Sequence, residues 1–139
     1  MNTIDNRVNK PYNKNDFSYT VIYYVLNNGR VPVKEFLHSL QDKKLKAKVY
    51  ASIGLLEKHG HVFSINFSKH LGEGIFELRI KHSSNIVRCL YFYHDNRISV
   101  LTNAFVKKTQ KIPNKELKLA KKYRKDYLKR IGGIHIYDK

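Results

Sequence analysis

The chain carries one cysteine, Cys89, no tryptophan and three prolines in 139 residues. A single thiol cannot form an intramolecular disulfide or a thiolate metal cluster. That fits a reducing compartment, and a cytoplasmic location is the expectation. No apolar run approaches the ~20 residues a membrane-spanning helix needs, so no membrane association is expected. Met1 to Ser18 lacks the apolar stretch of a signal peptide. Acids are scarce as well: 11 Asp and Glu stand against 27 Lys and Arg, a formal net charge of +16. The signatures GxxxxGK[ST], GxGxxG and HExxH are absent. The seven histidines, with His59 and His61 flanking Gly60, do not fall into the four-ligand spacing of a zinc site. No metal and no cofactor is therefore expected.

The basic surplus is uneven. Lys107 to Arg130 hold eleven basic residues against two acids, Glu116 and Asp126. Charge this dense repels itself unless a polyanion or an acidic partner neutralises it. A solvated lysine coat is the bland alternative. At +16 on 16.4 kDa, nucleic acid or an acidic protein is the better reading.

The length is that of one domain. The pattern places a leader over 1–18, a folded domain over 19–131 and a tail over 132–139. Thr20 to Leu26 is β-branched and aromatic and ends at Asn27-Asn28-Gly29, which predicts a strand closed by a turn. Pro32 suits a helix start, and Val33, Phe36, Leu37 and Leu40 give an apolar stripe. A second helix runs from Lys43 to about His59 on Leu45, Val49, Ile53 and Leu56, with Gly60 as its C-terminal cap. Leu71 to Gly74 reads as a loop. Strands follow at Ile75–Lys81, Ile86–Tyr93 and Arg97–Val106, close enough in sequence to pair as an antiparallel meander. Pro113 opens a last, lysine-covered helix to about Arg130, with Leu117, Ala120, Leu128 and Ile131 inward and Gly132-Gly133 ending it. The order β-α-α-β-β-β-α predicts an α+β fold: an antiparallel β-sheet with an N-terminal helical hairpin and a C-terminal basic helix, the helices on one side of the sheet.

Cationic and aromatic side chains gather on the predicted meander. Phe76, Leu78 and Ile80 alternate with Glu77, Arg79 and Lys81. Arg88 interrupts an apolar strand, where a guanidinium wants a carboxylate or a phosphate. Asp95 and Glu77 are candidate carboxylates. Arg79 has Glu77 or Glu73 as possible partners. Lys107 and Lys108 end the last strand, and Lys69 and His70 precede the glycine loop. Tyr91 and Tyr93 share one strand face and offer rings for base stacking, or belong to the core.

Several stretches carry a resemblance. These are Pro32 to Leu37, Gly74 to Ile80 with Glu77-Leu-Arg79, and Arg88 to Phe92. Further along come Asn103 to Pro113 with Phe105-Val-Lys-Lys-Thr109, then Glu116 and Ala120 to Arg124. In these the chain resembles the phage-derived, HigB-like branch of the RelE/HigB toxins of type II toxin–antitoxin systems. The resemblance covers roughly residues 20–130. It implies a RelE-like fold and a metal-free, ribosome-dependent mRNA endoribonuclease (an mRNA interferase) that blocks translation. It also implies mRNA and ribosome partners and neutralisation by a helix-turn-helix, HigA-like antitoxin.

Arg79, Arg88, Lys107 and Lys108 match the family's strand arginines and lysine pair and are the expected catalytic residues. His82 is a weaker proton-transfer candidate. Lys69, His70, Lys81, Tyr91, Tyr93, Lys111, Lys115, Lys118 and Lys122 are the expected RNA contacts. The rival expectation is a non-catalytic RNA- or ribosome-binding module of the same fold.

Overall fold

The computed structural model describes residues 19–64, 68–95, 97–107 and 112–137. The elements run β1 (Thr20–Tyr23), α1 (Pro32–Ser39), α2 (Lys43–Ser64), β2 (Ser68–Gly72), β3 (Ile75–His82), β4 (Asn85–His94), β5 (Ile98–Lys107) and α3 (Asn114–Tyr137). They form one five-stranded sheet in the order β1-β5-β4-β3-β2. The fold is α+β, as the sequence predicts. Two features go beyond that prediction. Residues 68–72 add a strand that pairs antiparallel with β3, and β1 pairs parallel with β5. The sheet is therefore mixed, with an antiparallel meander at its centre.

Local chemistry explains the helices. Pro32 sits in the first turn of α1, and Glu35 is held by the Arg30 guanidinium at 2.7 Å. The Asp42 carboxylate accepts from the Leu45 backbone N–H at 3.1 Å and caps α2. Regular helix geometry breaks at Gly60, whose φ of 72° lies in the left-handed region. Beyond His59 the chain turns into a last short helical stretch rather than stopping. α3 likewise runs past Gly132-Gly133 to Tyr137.

Each face of the sheet carries its own core. Val33 and Leu37 of α1 join Leu45, Val49, Ile53 and Leu56 of α2. They pack on Leu78, Ile80, Val87, Cys89, Tyr91 and Leu101. On the opposite face Ala120 and Tyr123 of α3 pack on Tyr24, Ile75, Leu90, Phe92 and Val100. Helices thus cover both faces, not one. The sheet is buried between them, which accounts for the nearly continuous apolar run of β4.

α3 is tied to β1 by a polar lock. The Tyr24 hydroxyl donates to Asp126 at 2.6 Å, Arg130 pairs with the same carboxylate oxygen at 2.6 Å, and Arg130 also donates to the Val25 carbonyl at 2.8 Å. Tyr24 stacks on Tyr123 with ring centroids 4.4 Å apart. The α3 face of the sheet is therefore apolar under the helix. It becomes polar where the β3, β4 and β5 residues extend past the helix's first turn.

Candidate functional site

Register decides which side chains meet on that polar end. Arg79 lies directly opposite Arg88, and Arg88 opposite Phe105. One row along, Lys81 faces Ile86 and Ile86 faces Lys107. In the other direction Lys69 faces Glu77. Residues directly opposite in antiparallel strands point to the same side. Lys69, Glu77, Arg79, Lys81, Arg88 and Lys107 consequently share the α3 face.

A bulge makes this possible. Leu90 pairs with Asn103 but Tyr91 pairs with Leu101, so Thr102 has no ladder partner. Its hydroxyl donates to the Leu90 carbonyl at 3.1 Å. The extra residue resets the alternation of β5. Val100 before it and Asn103, Phe105 and Lys107 after it all face α3.

The centre of the group is buried. Arg88 is 2% exposed, Glu77 1% and Lys107 3%. The Arg88 Nη1 donates to Glu77 Oε1 in a short contact, and Arg79 Nε lies 3.4 Å from the same oxygen. Arg79 itself is about half exposed. Among the described residues, Glu77 Oε2, Arg88 Nε and Lys107 Nζ are buried without a hydrogen-bond partner. The Lys107 amine is pushed below the ordinary lysine range. Burial is the largest cause, the Arg88, Arg79 and Lys69 charges add to it, and Glu77 opposes it. Next to this cluster Asn103 donates to the Glu116 carboxylate at 3.0 Å and to its backbone carbonyl at 3.1 Å, fixing the first turn of α3.

Chemically, five cations share one sheet face with one carboxylate, and among the described residues the Lys107 ammonium is buried with no hydrogen-bond partner. A desolvated cation is costly unless an anion joins it. An arginine pair on adjacent strands also presents the fork that grips phosphate oxygens from two sides.

The other expected site residues divide. Lys115, Lys118 and Lys122 are exposed on α3. Lys108 and Lys111 lie outside the described residues. His82 and His70 fall on the hairpin face, His82 by strand alternation with Leu78 and Ile80. His70 lies opposite Phe76 with ring centroids 4.7 Å apart. Tyr91 is fully buried in the hairpin-side core against Phe76, so it offers no base a platform. Tyr93 is 37% exposed but shares that face, with its ring 5.5 Å from Phe76. The two tyrosines thus stand across the sheet from the cations.

Also on the hairpin side, a cavity of about 750 Å³ opens beside β1, lined by Val21, Tyr23, Tyr50 and Ile53 with Lys34 and Glu57. It is largely apolar and does not include the cation group. Among the described residues, no helix is long and apolar enough to cross a membrane.

From the sequence alone Glu77 is only a possible ion-pair partner. The signal for more was its alternation with Arg79 on a polar strand face.

No curated protein matches the chain. A family model does match, over residues 35–125. That span takes in most of α1, all of α2, the meander, Arg79, Arg88, Lys107 and the first half of α3. With more than half its length matched, the chain belongs to the phage-derived Gp49-like proteins (DUF891), a family associated with the RelE-like toxins of toxin–antitoxin systems and one that implies an antitoxin partner.

Proposed function

We propose that this protein is the toxin of a type II toxin–antitoxin system of the HigB-like branch and that it cleaves mRNA on the ribosome without a metal. The observation that carries the reading is the buried Lys107 amine, without a hydrogen-bond partner among the described residues, on one sheet face with Arg88 and Arg79. A phosphodiester is the anion that this group suits, and RNA brings its own nucleophile.

The reaction is an in-line transfer. The 2′-oxygen forms a bond to phosphorus as its proton leaves to a base. The bond from phosphorus to the 5′-oxygen breaks as that oxygen takes up a proton. A 2′,3′-cyclic phosphate and a 5′-hydroxyl result. Arg79 and Arg88 hold the non-bridging oxygens, whose charge grows in the transition state. Lys107, whose pKa is lowered by burial and by the neighbouring cations, exchanges protons at the reacting oxygens as a general acid–base. Lys108 joins it as the second lysine of the pair. The α3 lysines contact phosphates and set register without reading bases. A HigA-like helix-turn-helix antitoxin neutralises the toxin in the cytoplasm.

The rival, a non-catalytic ribosome-binding module, draws support from the Arg88–Glu77 ion pair, which is a complete structural reason for a buried arginine. Single-turnover cleavage on programmed ribosomes separates the two. Wild type should leave 2′,3′-cyclic phosphate ends, and Arg79→Ala should slow the chemical step by about two to three decades. Arg79 is the cleaner probe because it is half exposed, whereas removing Arg88 strands a buried carboxylate. Ribosome binding with intact mRNA for wild type would leave only the module reading.

A further inference from the structure

We propose that Glu77 is a positioning residue, the internal counter-anion that fixes the Arg88 guanidinium and keeps the Lys107 amine cationic until an RNA phosphate takes over that role. This rests on the phosphodiester reading of the site and deepens it. Glu77 touches no substrate atom. It acts through its two neighbours.

Three observations converge. Glu77 is 1% exposed, on the same sheet face as all the cations of the group, with Lys69 directly opposite it and Arg79 two residues along its own strand. Its Oε1 holds both guanidiniums, Arg88 by Nη1 and Arg79 by Nε. Its Oε2 is buried and free of partners among the described residues. The carboxylate is thus oversupplied with cations, and one of its own acceptors is still open.

The charges that face Lys107 come from β2 (Lys69), β3 (Glu77 and Arg79, with Lys81 in the same row of the sheet face) and β4 (Arg88). All but Glu77 are positive. On α3 the first-turn acid Glu116 is engaged by Asn103 instead. Glu77 is therefore the one anion among the described residues that offsets the crowding at Lys107. A phosphate arriving beside Arg79 and Arg88 supplies a second. The site holds its cations together with an internal anion, and the substrate completes the neutralisation.

The test reads Lys107 directly. In the full chain labelled with ¹⁵N-lysine, the Nζ resonance of Lys107 is assigned by its loss in Lys107→Met and followed against pH, with and without inorganic phosphate. Glu77→Gln should lower the Lys107 midpoint by about one to two units, the effect of losing a unit charge roughly 6 to 12 Å away at an effective dielectric near 20. Glu77→Asp keeps the charge, so its midpoint should stay within about half a unit of wild type, although Arg88 loses its fitted partner.

Phosphate should raise the midpoint in wild type, an arm that needs no variant to fold. On ribosomes, the limb of the pH–rate profile set by Lys107 should move to lower pH in Glu77→Gln. A purely structural role would scale the whole profile down without moving it. Equal midpoints in wild type and Glu77→Gln, or a wild-type midpoint indifferent to phosphate, would overturn the proposal. Absence of cleavage by wild type with the midpoints moving as described would instead overturn only the nuclease reading.

Discussion

The Lys107 amine sheds its proton more readily in the folded chain than in the unfolded one. Burial disfavours the ammonium, and the Arg88, Arg79 and Lys69 charges press in the same direction. Where the unfolded chain binds the extra proton, stability rises with pH. Lys107 is therefore a burden at neutral pH that eases as pH climbs toward the ordinary lysine value. Lys107→Met should stabilise the protein at pH 7 by about 1 kcal/mol or more, the cost usually assigned to a buried unsatisfied polar group, while abolishing cleavage. Urea titration of both proteins checks it. A loss of stability would mean that the amine has a partner in solution.

Other residues lean the opposite way. Burial pushes the Cys89 thiol up to about 12. Tyr23 and Tyr24 also rise to about 12, both mainly by burial, with the Asp126 hydrogen bond and charge adding to the shift at Tyr24. These groups keep their protons in the folded chain after the unfolded chain has released them. Their stabilisation is whole below about pH 8.5 to 10 and is lost as pH rises toward 12. Three such groups outweigh Lys107, so the urea midpoint should fall steadily above pH 9. Cys89→Val should delay the onset of that fall by about one unit, to where tyrosine begins to ionise.

At the level of elements, Gly60 shows how one residue breaks a helix into two stretches. Its φ is 72°, and a Cβ there would sit 2.4 Å from the Tyr19 ring. Gly60→Ala should destabilise by at least about 2 kcal/mol, combining a backbone penalty with a steric one. Placing it in a Tyr19→Ala background should recover only part of that loss, because the backbone term stays. Equal stability of Gly60→Ala and wild type would remove the argument.

The glycine, like most of the architecture, was legible in the sequence. Leu45, Val49, Ile53 and Leu56 repeat at helical spacing up to it, and Phe76, Leu78 and Ile80 alternate as strand residues should. β2 was not legible, since Ser68 to Gly72 lacks alternation and owes its strand form to pairing with β3. The bulge at Thr102 left no pattern either. Strict alternation along β5 would have put Lys107 with Leu101 on the hairpin face, and only the ladder shows that it stands with Arg88. Tyr91 failed as a stacking platform for the same reason: period-2 spacing says which residues share a face, but not which face is covered. Arg88 stands out in the sequence because a guanidinium in an apolar strand needs an anion. Asp95, Glu77 and a phosphate all satisfy that need, and only the three-dimensional distances single out Glu77.

Across the molecule, the charge surplus has a direction. On α3, Lys115, Lys118, Lys122, Lys125 and Lys129 are all exposed. Their alternating spacing of three and four residues lines them up as one stripe on the side away from the sheet. At 1.5 Å per residue the stripe is about 21 Å long. It starts near the first turn fixed by Asn103 and ends beside the Tyr24–Asp126–Arg130 lock. A stripe of flexible ammonium groups at roughly 5 Å intervals along a helix axis suits a chain of phosphates rather than a set of bases. Binding to it should be governed by counterion release, with log K falling linearly in log salt.

The prediction uses an uncleavable 2′-O-methyl RNA, so that affinity is read apart from chemistry. Replacing Lys118 and Lys122 with glutamine should reduce the magnitude of the salt slope by about 1.4, since each phosphate contact to a single strand contributes about 0.7. Between 50 and 200 mM salt the variant should therefore lose about sevenfold less affinity than wild type does. Its urea midpoint should stay put, because neither lysine touches the core. A slope unchanged by the two substitutions would detach α3 from RNA and leave its charge to a protein partner.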